Sequence, residues 1–196
     1  MGNSHTAGFP GYDPAYGGNP ESTYIFHLAS KLKNEKGSQV EFTNHGICGQ
    51  TSSLIARRIP GILKKISPTH AILLSGANDI GWGTDTSKIV ETITKSIAML
   101  EENSCIPVLC NIPPMIISLS GMDGVIKNRV EKLNQRLESL AKHRNIPFVD
   151  LWKNLAAPYG GGLQKEFDSG DGVHLSIEGY KRVADIVYDV IFPLLV

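Results

Sequence analysis

The 196-residue sequence lacks a charge excess of either sign and lacks a long apolar run. Its 19 basic and 19 acidic residues cancel, and no run of lysine and arginine forms the electrostatic footprint of a nucleic-acid-binding protein. No stretch approaches the ~20 consecutive apolar residues of a membrane-spanning helix. We therefore expect neither a nucleic-acid partner nor a membrane span, and no strong steering of the substrate by charge.

Cysteine is also scarce, since only Cys48, Cys105 and Cys110 occur. Their number is odd and their spacing is not that of a zinc site, so buried thiols in a reducing compartment are the favoured interpretation. The first residues do not form the basic and then apolar segment of a secretory signal peptide. These features predict a cytoplasmic protein.

Apolar, β-branched runs alternate with helical patterns along the whole chain. The runs cover 40–43, 71–75, 107–110 and 147–150, and the helical patterns cover 21–33, 51–66, 86–102, 125–144 and 176–194. Runs without clean polar alternation are typical of strands buried on both faces. The alternation predicts an α/β fold with a mostly parallel sheet between helices, and the length suits one domain spanning 1–196.

Four short pieces stand out in the loops that such a fold would have. The pieces are Gly2-Asn3-Ser4, Gly46-Ile47-Cys48-Gly49, Gly76-Ala77-Asn78-Asp79 and Asp171-Gly172-Val173-His174. Each lies at or beside a loop that follows a strand or precedes the last helix, and loops at the carboxyl ends of parallel strands meet at the ligand crevice. Together the pieces supply a nucleophile, oxyanion donors and an acid-oriented base, which predicts a hydrolase.

Ser4 is the candidate nucleophile, and His174 is its candidate base. A serine hydroxyl at its ordinary pKa is a poor nucleophile and needs a base within hydrogen-bond reach. Asp171 stands three residues before His174, so on a turn its carboxylate can bind one ring nitrogen while the other faces the serine. The other five histidines have no acid at this spacing in a turn-rich loop. Gly-x-Ser and Asp-x-x-His each arise often by chance, so their combination carries the prediction.

The four pieces and their order resemble the SGNH hydrolases, also called the GDSL esterase/lipase family, along essentially the whole chain. The resemblance implies a three-layer α/β/α sandwich around a five-stranded, parallel, flavodoxin-like sheet. It also implies hydrolysis of acyl esters without a metal or organic cofactor. Carried over by position, Ser4 is the nucleophile, His174 is the general base and then the acid, and Asp171 orients His174.

The same resemblance implies an oxyanion hole built from the backbone amides of Ser4 and Gly49 and the side chain of Asn78. A side-chain amide at the carboxyl end of a strand can donate to a developing oxyanion, and a glycine leaves its N–H unobstructed. A different alignment would select Gly46 in place of Gly49. Each residue also has an ordinary structural explanation, as a turn asparagine or a helix-entry glycine.

Two features depart from the family pattern. The first block usually reads Gly-Asp-Ser, whereas here Asn3 keeps an acceptor oxygen, adds a donor and loses a charge. The family also places a hydrophobic strand directly before the nucleophile, where this sequence has only Met1. Loss of a central strand would leave its neighbours with unpaired backbone groups. We therefore expect a longer native polypeptide, with a covering partner chain or closed-up neighbouring strands as the alternatives.

The expected substrate is a small-molecule, glycan or lipid ester with a short acyl chain, since no long apolar lid is evident. Phe9, Tyr12 and Tyr16 in one loop and residues 112–117 in another are candidates for the acyl pocket. A non-catalytic glycan- or lipid-binding module and an acyltransferase are the alternative functions. A nucleotide-binding protein ranks far behind, because its glycine motifs are missing. The sequence predicts no particular oligomeric state.

Overall fold

The computed structural model describes residues 1–36, 40–116, 123–158 and 162–195. Its helices are α1 (Ser4–Ala7), α2 (Tyr24–Lys36), α3 (Ser52–Lys65), α4 (Ala77–Gly81), α5 (Thr86–Glu102), α6 (Asp123–Arg144), α7 (Leu151–Leu155) and α8 (Ile177–Ile191). Its strands are β1 (Tyr12–Asp13), β2 (Gly17–Gly18), β3 (His70–Leu74), β4 (Ile106–Cys110) and β5 (Phe148–Val149). Strands and helices thus alternate from β3 onward, as the sequence predicts.

The central sheet is parallel and runs in the order β3–β4–β5. The whole of β3 pairs with the whole of β4, and the last two residues of β4 pair with β5. On the other side of β3, Gly2 forms parallel bridges both to Leu74 and to Gly46. The predicted parallel α/β architecture is therefore confirmed, and Gly2 lies beside β3 where the resemblance places the end of the nucleophile's strand.

Alternate side chains of the sheet face two separate helical layers. Leu73 and Leu109 belong to the core cluster formed with α3, α5 and α6, whereas Leu74 and Val108 belong to the cluster formed with α2, α7 and α8. Since neighbouring residues of a strand point to opposite faces, one helical layer covers each face. Each fully buried leucine or isoleucine stabilises this arrangement by roughly 1.5–3 kcal/mol. The three-layer α/β/α prediction is confirmed.

Helix α8 shows how local sequence sets the ends of an element. Ser176 caps its start, because the serine side chain accepts the Gly179 N–H over 3.1 Å. Tyr180 and Val187 lie on the buried stripe that packs against α2. Pro193 follows directly after the last turn, and its ring cannot continue an α-helix. The helix therefore begins and ends close to its predicted bounds and presents one apolar face to the sheet.

The strand predicted at 40–43 is wrong, since these residues are not paired in the described part of the chain. A groove of about 150 Å³ separates them from residues 69–72 at the edge of β3. A parallel strand is stable only when a neighbour accepts and donates its backbone hydrogen bonds. Of the residues that the structure describes, only Met1 and Gly2 bond to β3 on that edge, towards its carboxyl end. The described sheet consequently has three strands and the Gly2 bridges, where the resemblance implies five strands.

The three cysteines are free thiols, and Cys105 and Cys110 are buried while Cys48 is only half-buried. Burial raises the pKa of Cys110 to about 12 and that of Cys105 to about 11, so both remain protonated and unreactive. The expectation of buried thiols is thus confirmed for two of the three. None of the helices described is long and apolar enough to cross a membrane.

Candidate active site

The nucleophile side of the site, residues 2–7 together with 46–50, begins beside β3 and turns at once into α1. Asn3 caps this short helix, because its side-chain oxygen accepts the His5 N–H over 3.1 Å. Asn3 therefore performs the capping for which an aspartate is equally suited. Ser4 occupies the first helical position and is 7% exposed. Its N–H is one of the amides that the helix itself does not use.

Gly46 allows the two segments of the nucleophile side to pack backbone against backbone. A Cβ atom at this position would lie 2.1 Å from the nitrogen of Ala7 and 2.5 Å from the carbonyl carbon of Thr6. Both are backbone atoms of α1 and cannot rotate away. Gly46 is buried in this contact, so the structure gives it a packing role beneath the nucleophile turn.

The base loop, residues 168–174, is shaped by two of its own carboxylates. Asp168 accepts backbone N–H bonds from within the loop at 2.8 and 3.0 Å, and Asp171 accepts two more at 2.9 and 2.7 Å. The Ser169 N–H closes the loop by donating to the carbonyl oxygen of His174 over 2.9 Å. Local hydrogen bonds therefore hold the imidazole in place on an otherwise exposed segment.

An unbroken chain of hydrogen bonds joins the two sides. The carboxylate of Asp171 lies 2.6 Å from Nδ1 of His174, and Nε2 of the same ring lies 3.1 Å from Oγ of Ser4. Since a carboxylate only accepts, Nδ1 carries the hydrogen and Nε2 presents its lone pair to the hydroxyl. The structure thus brings together the three residues that the sequence analysis selects as nucleophile, base and orienting acid. This arrangement can deprotonate the serine as it attacks a carbonyl.

The carboxyl group of Asp171 stays ionised over a wide pH range. Partial burial alone would raise its pKa, but hydrogen bonds from the backbone N–H and ring of His174 and from the Val173 N–H outweigh burial and lower the pKa to about 2. An ionised Asp171 both fixes the tautomer of His174 and stabilises the imidazolium that forms when the ring takes a proton.

Asn78 follows β3 and shares a cleft with Ser4 and His174. Its side-chain Nδ2 donates to the Gln50 carbonyl oxygen over 3.0 Å, which sets the orientation of the amide. Next to it, buried Asp79 accepts from both the N–H and the hydroxyl of Ser52, each over 2.7 Å. The two bonds of Asp79 connect the start of α4 to the start of α3, and together with the Gln50 bond they hold Asn78 at the cleft.

Gly49 lies in an exposed turn directly before Gln50, the residue that binds Asn78. Its φ of +75° is in the left-handed region that favours glycine, and a Cβ there would meet nothing within 4 Å. Backbone conformation and not space therefore explains the glycine. Ser4 and Asn78 line the cleft, whereas Gly49 is connected to it only through Gln50 in the described contacts.

A half-open cleft of about 250 Å³ lies beside Ser4. Its lining consists of Ser4, His5, Ala77, Asn78, Gly81, Trp82, Met115, Val173 and His174. Residues 112–117 are expected to wall the acyl pocket, and of these Met115 lines the cleft. The expectation is wrong for Ile112, which is fully buried in the core, and Ile117 lies outside the described residues. The cleft is small and mostly apolar apart from the candidate catalytic groups.

The aromatic loop after α1 forms a second cleft next to the first. Phe9, Tyr12, Tyr16 and Cys48 line this space of about 310 Å³. The ring of Phe9 also meets the His174 ring edge-on, with centroids 4.6 Å apart. Phe9 therefore lies between the two clefts, whereas Tyr12 and Tyr16 belong to the second one.

Two residues that line the Ser4 cleft are not among those predicted from the sequence. His5 is rejected as a base in the sequence analysis because it has no acid partner, yet the structure buries it directly beside Ser4. Trp82 directly follows α4 and is 79% exposed at the cleft. The position of His5 directly after Ser4 is a sequence signal that could have placed it at the site. For Trp82 the signal is weaker, since this residue stands six positions after Gly76, the first residue of the piece that contains Asn78.

Comparison with known proteins gives a match over most of the chain. The model of the GDSL-like Lipase/Acylhydrolase family matches residues 1–182. No match was found among the curated proteins. The matched region contains Ser4, Asn78, Asp171 and His174, so all parts of the geometry described above except the end of α8 fall within it.

Solved structures share the fold over nearly their whole length. A GDSL-like lipase from Bacteroides thetaiotaomicron is 21% identical with a TM-score of 0.79, covering 99% of this chain and 86% of its own. The esterase EstA from Pseudoalteromonas, in a structure inhibited by monoethylphosphonate, is 22% identical with a TM-score of 0.75. This match covers 100% of this chain and 96% of the EstA chain. An acetyl xylan esterase, AlAXEase, is 23% identical with a TM-score of 0.77, and the match covers 97% of this chain and 95% of the AlAXEase chain.

Proposed function

The chain belongs to the GDSL-like Lipase/Acylhydrolase family, and from that premise we propose that it is a serine esterase that hydrolyses short-chain acyl esters. The observation that carries the proposal is the hydrogen-bond chain from Asp171 through His174 to Ser4. These hydrogen bonds give the serine hydroxyl an adjacent base and give that base an orienting acid, which together allow a serine to act as a nucleophile at neutral pH.

In the first half of the reaction, Ser4 Oγ attacks the ester carbonyl carbon while Nε2 of His174 takes the hydroxyl proton. The imidazolium that forms is stabilised by Asp171 and then gives this proton to the departing alkoxide. The bond between the acyl carbon and the alcohol oxygen breaks, and the acyl group stays on Ser4. The distance of 3.1 Å between Oγ and Nε2 is within the range for direct proton transfer.

In the second half, water takes the position of the alcohol. His174 removes a proton from the water, whose oxygen attacks the acyl carbon, and the ring then returns the proton to Ser4 Oγ. A carboxylic acid leaves, and the enzyme regains its starting protonation. Both halves use the same two side chains, which is why a single serine–histidine contact supports the whole cycle.

The oxyanion that develops in each half is assigned to the Ser4 and Gly49 backbone amides and the Asn78 side chain. Ser4 N–H is free of the helix's own bonds, and Asn78 lines the same cleft. The present bond from Asn78 to the Gln50 carbonyl uses only one of the two Nδ2 hydrogens. The second hydrogen is available for the substrate oxygen.

The shape of the cleft favours a short acyl group. A space of about 250 Å³ bounded by Met115, Trp82 and Val173 accommodates a small acyl chain but offers no long apolar channel in the described residues. The likeness to an acetyl xylan esterase points in the same direction, towards acetyl esters of glycans. Acetyl and butyryl esters are therefore the proposed substrates.

The test is a p-nitrophenyl ester series from acetate to palmitate with the wild type and Ser4→Ala. We expect turnover that falls with chain length and a loss in kcat on the order of 10⁴-fold or more in Ser4→Ala. Ser139→Ala is the matched control, because Ser139 is an exposed helical serine that bonds only to the Gln135 carbonyl in the described contacts.

The outcomes separate the proposal from its alternatives. Full activity in Ser4→Ala would rule out the serine mechanism. A folded wild type that turns over no ester, yet binds a glycan or lipid, would support the non-catalytic module instead. Highest activity on palmitate would overturn the short-chain assignment and leave the serine mechanism intact.

A further inference from the structure

His5 connects the two sides of the active site. It follows Ser4 in α1, its side chain is only 1% exposed, and its Nε2 lies 2.9 Å from the carbonyl oxygen of Val173. Val173 is the residue directly before His174. One hydrogen bond therefore joins the neighbour of the nucleophile to the neighbour of the base, across 168 residues of sequence.

The partner of Nε2 determines the tautomer of His5. A carbonyl oxygen only accepts, so Nε2 carries the hydrogen and Nδ1 carries the lone pair. Burial and, to a smaller extent, the nearby His174 ring lower the pKa of His5 to about 4, while the hydrogen bond to the Val173 carbonyl and the charge of Asp171 oppose the shift. His174 and Asp171 are the titratable groups that act on the ring. At neutral pH His5 is an uncharged donor.

Packing alone does not explain a histidine at this position. Its Nδ1 is buried and has no hydrogen-bond partner in the described part of the structure. An unpartnered buried polar atom destabilises a fold by roughly 1–3 kcal/mol, a cost that a leucine of similar volume would avoid. The bond from Nε2 to Val173 is the compensating gain, and its location points to a role in the geometry of the site.

In the described part of the chain, the base loop has few other bonds to the rest of the molecule. Its backbone is held mainly by Asp168 and Asp171 from within, as described above. The Gly172 carbonyl accepts the Ile116 N–H over 2.8 Å, which ties the loop to the segment after β4. The His5 bond ties it to α1, beside the reacting serine.

We propose that His5 is a positioning residue for the proposed esterase reaction, on which this inference rests: its Nε2–H holds the Val173 carbonyl oxygen and thereby sets the separation of Ser4 and His174. His5 exchanges no proton with the substrate. It acts through the base loop, and a change in that loop of about 1 Å is enough to slow a reaction by about 10²-fold.

Three substitutions test the bond. The amide nitrogen of glutamine stands about as far from Cβ as histidine Nε2 does, so His5→Gln keeps the donor. In His5→Asn the donor is too short to reach, and in His5→Leu it is absent. We expect kcat on p-nitrophenyl acetate to fall about 10- to 100-fold in His5→Leu and His5→Asn with KM within about twofold, and His5→Gln to recover most of the loss.

Controls separate this inference from the proposed function. His27→Leu removes a similar bond, from Nε2 to the Glu21 carbonyl at 2.7 Å, in α2, and we expect unchanged kcat. If Ser4→Ala stays fully active, the proposed function itself fails. If Ser4→Ala is inactive but His5→Leu keeps wild-type kcat, or His5→Gln is as slow as His5→Leu, only the positioning role fails. Should His5→Leu not fold, His5→Gln and His5→Asn still decide the question.

A spectroscopic measurement on the wild type makes the test independent of any variant's stability. Nitrogen-15 histidine spectra should show His5 protonated at Nε2 and not at Nδ1, with no titration between pH 6 and pH 9. A proton on Nδ1, or a ring that titrates near its ordinary pKa of about 6.5, would overturn the proposal.

Discussion

The nucleophile side and the base loop position their proposed catalytic groups by different means. On the nucleophile side, Ser4 and its neighbours in α1 are all buried, and Gly46 packs against their backbone. In the base loop Asp171 is exposed, and His174 is held by hydrogen bonds to a residue three positions away. The first side depends on the packing of the whole fold, whereas the second depends on a few local contacts.

This difference predicts which substitutions affect stability and which affect activity alone. A change that disturbs close packing alters many contacts and typically costs 1–3 kcal/mol, occasionally more. A change in an exposed loop leaves the core intact, and surface substitutions usually stay within about 0.5 kcal/mol. Substitutions in the base loop should therefore change activity without stability, whereas substitutions that disturb the backbone packing of the nucleophile side should change both.

Among the substitutions that test this difference between the two sides, the largest effect is expected for Asp171→Asn. Its side-chain oxygen can still accept the loop N–H groups, but its amide no longer fixes the His174 tautomer, so kcat should fall by on the order of 10³-fold. Unfolding in urea should change by less than about 1 kcal/mol. Asp168→Asn is the control, because Asp168 shapes the same loop without a bond to the ring, and we expect a loss below about tenfold. A large drop in stability for Asp171→Asn would contradict the separation.

Gly46→Ala, on the nucleophile side, should instead lower both stability and activity. The new Cβ would meet the backbone of Ala7 at 2.1 Å, so α1 must shift, and the free energy of unfolding should fall by about 3 kcal/mol together with activity. Gly61→Ala in α3 adds the same atom where nothing lies within 4 Å and should stabilise the protein by about 0.5–1 kcal/mol. Equal effects of the two substitutions in urea unfolding would refute the packing argument.

Asn78→Ala tests a residue whose burial is intermediate between that of the buried helix α1 and that of the exposed Asp171. Asn78 is half-buried and lies beside buried Asp79. Removal of one oxyanion donor should lower kcat by on the order of 10²-fold with little change in KM. Asn154→Ala is the matched control, since that amide donates to the Asp150 carbonyl within its own helical turn. If both variants lose activity equally, Asn78 has no special part in the reaction.

The smallest expected effect is the pH dependence of the contribution that Asp171 makes to folding stability. The folded pKa of Asp171 is about 2, below its unfolded value of about 3.9. A lowered folded pKa contributes stability above the unfolded pKa, and this contribution is lost as pH falls through about 2. The stability difference between wild type and Asp171→Asn should thus shrink between pH 6 and pH 2.5, by less than about 1 kcal/mol because the group is exposed. A difference that grows on acidification, measured by urea unfolding, would contradict the assignment.

Long periodic elements were predictable from the sequence, because their patterns report burial directly. The bounds of α5 agree with the pattern at 86–102, and the 71–75 and 107–110 runs correspond to β3 and β4. The run at 40–43 has a similar composition but no strand, since pairing depends on a neighbour that composition does not reveal. The short helix α1 is too brief to show a period, so its role as the support of Ser4 emerges only from the structure.

The candidate site was predictable in its residue types but not in its supporting contacts. Ser4, Asp171 and His174 follow from chemistry and spacing, and the structure brings them within hydrogen-bond distance. The bond from His5 to Val173 joins residues that no local pattern relates. Likewise, the packing of Gly46 on α1 is a contact between distant segments, which a single sequence does not encode as a motif.

The most direct test of the account is chemical labelling of the nucleophile. Diethyl p-nitrophenyl phosphate should add one diethylphosphoryl group per chain, located by peptide mass spectrometry on Ser4, because the proposed mechanism has His174 activate that hydroxyl alone. In His174→Ala the labelling rate should fall by at least about 10³-fold while the fold persists. A label on another residue, or equally fast labelling of Ser4 without His174, would contradict the central claim.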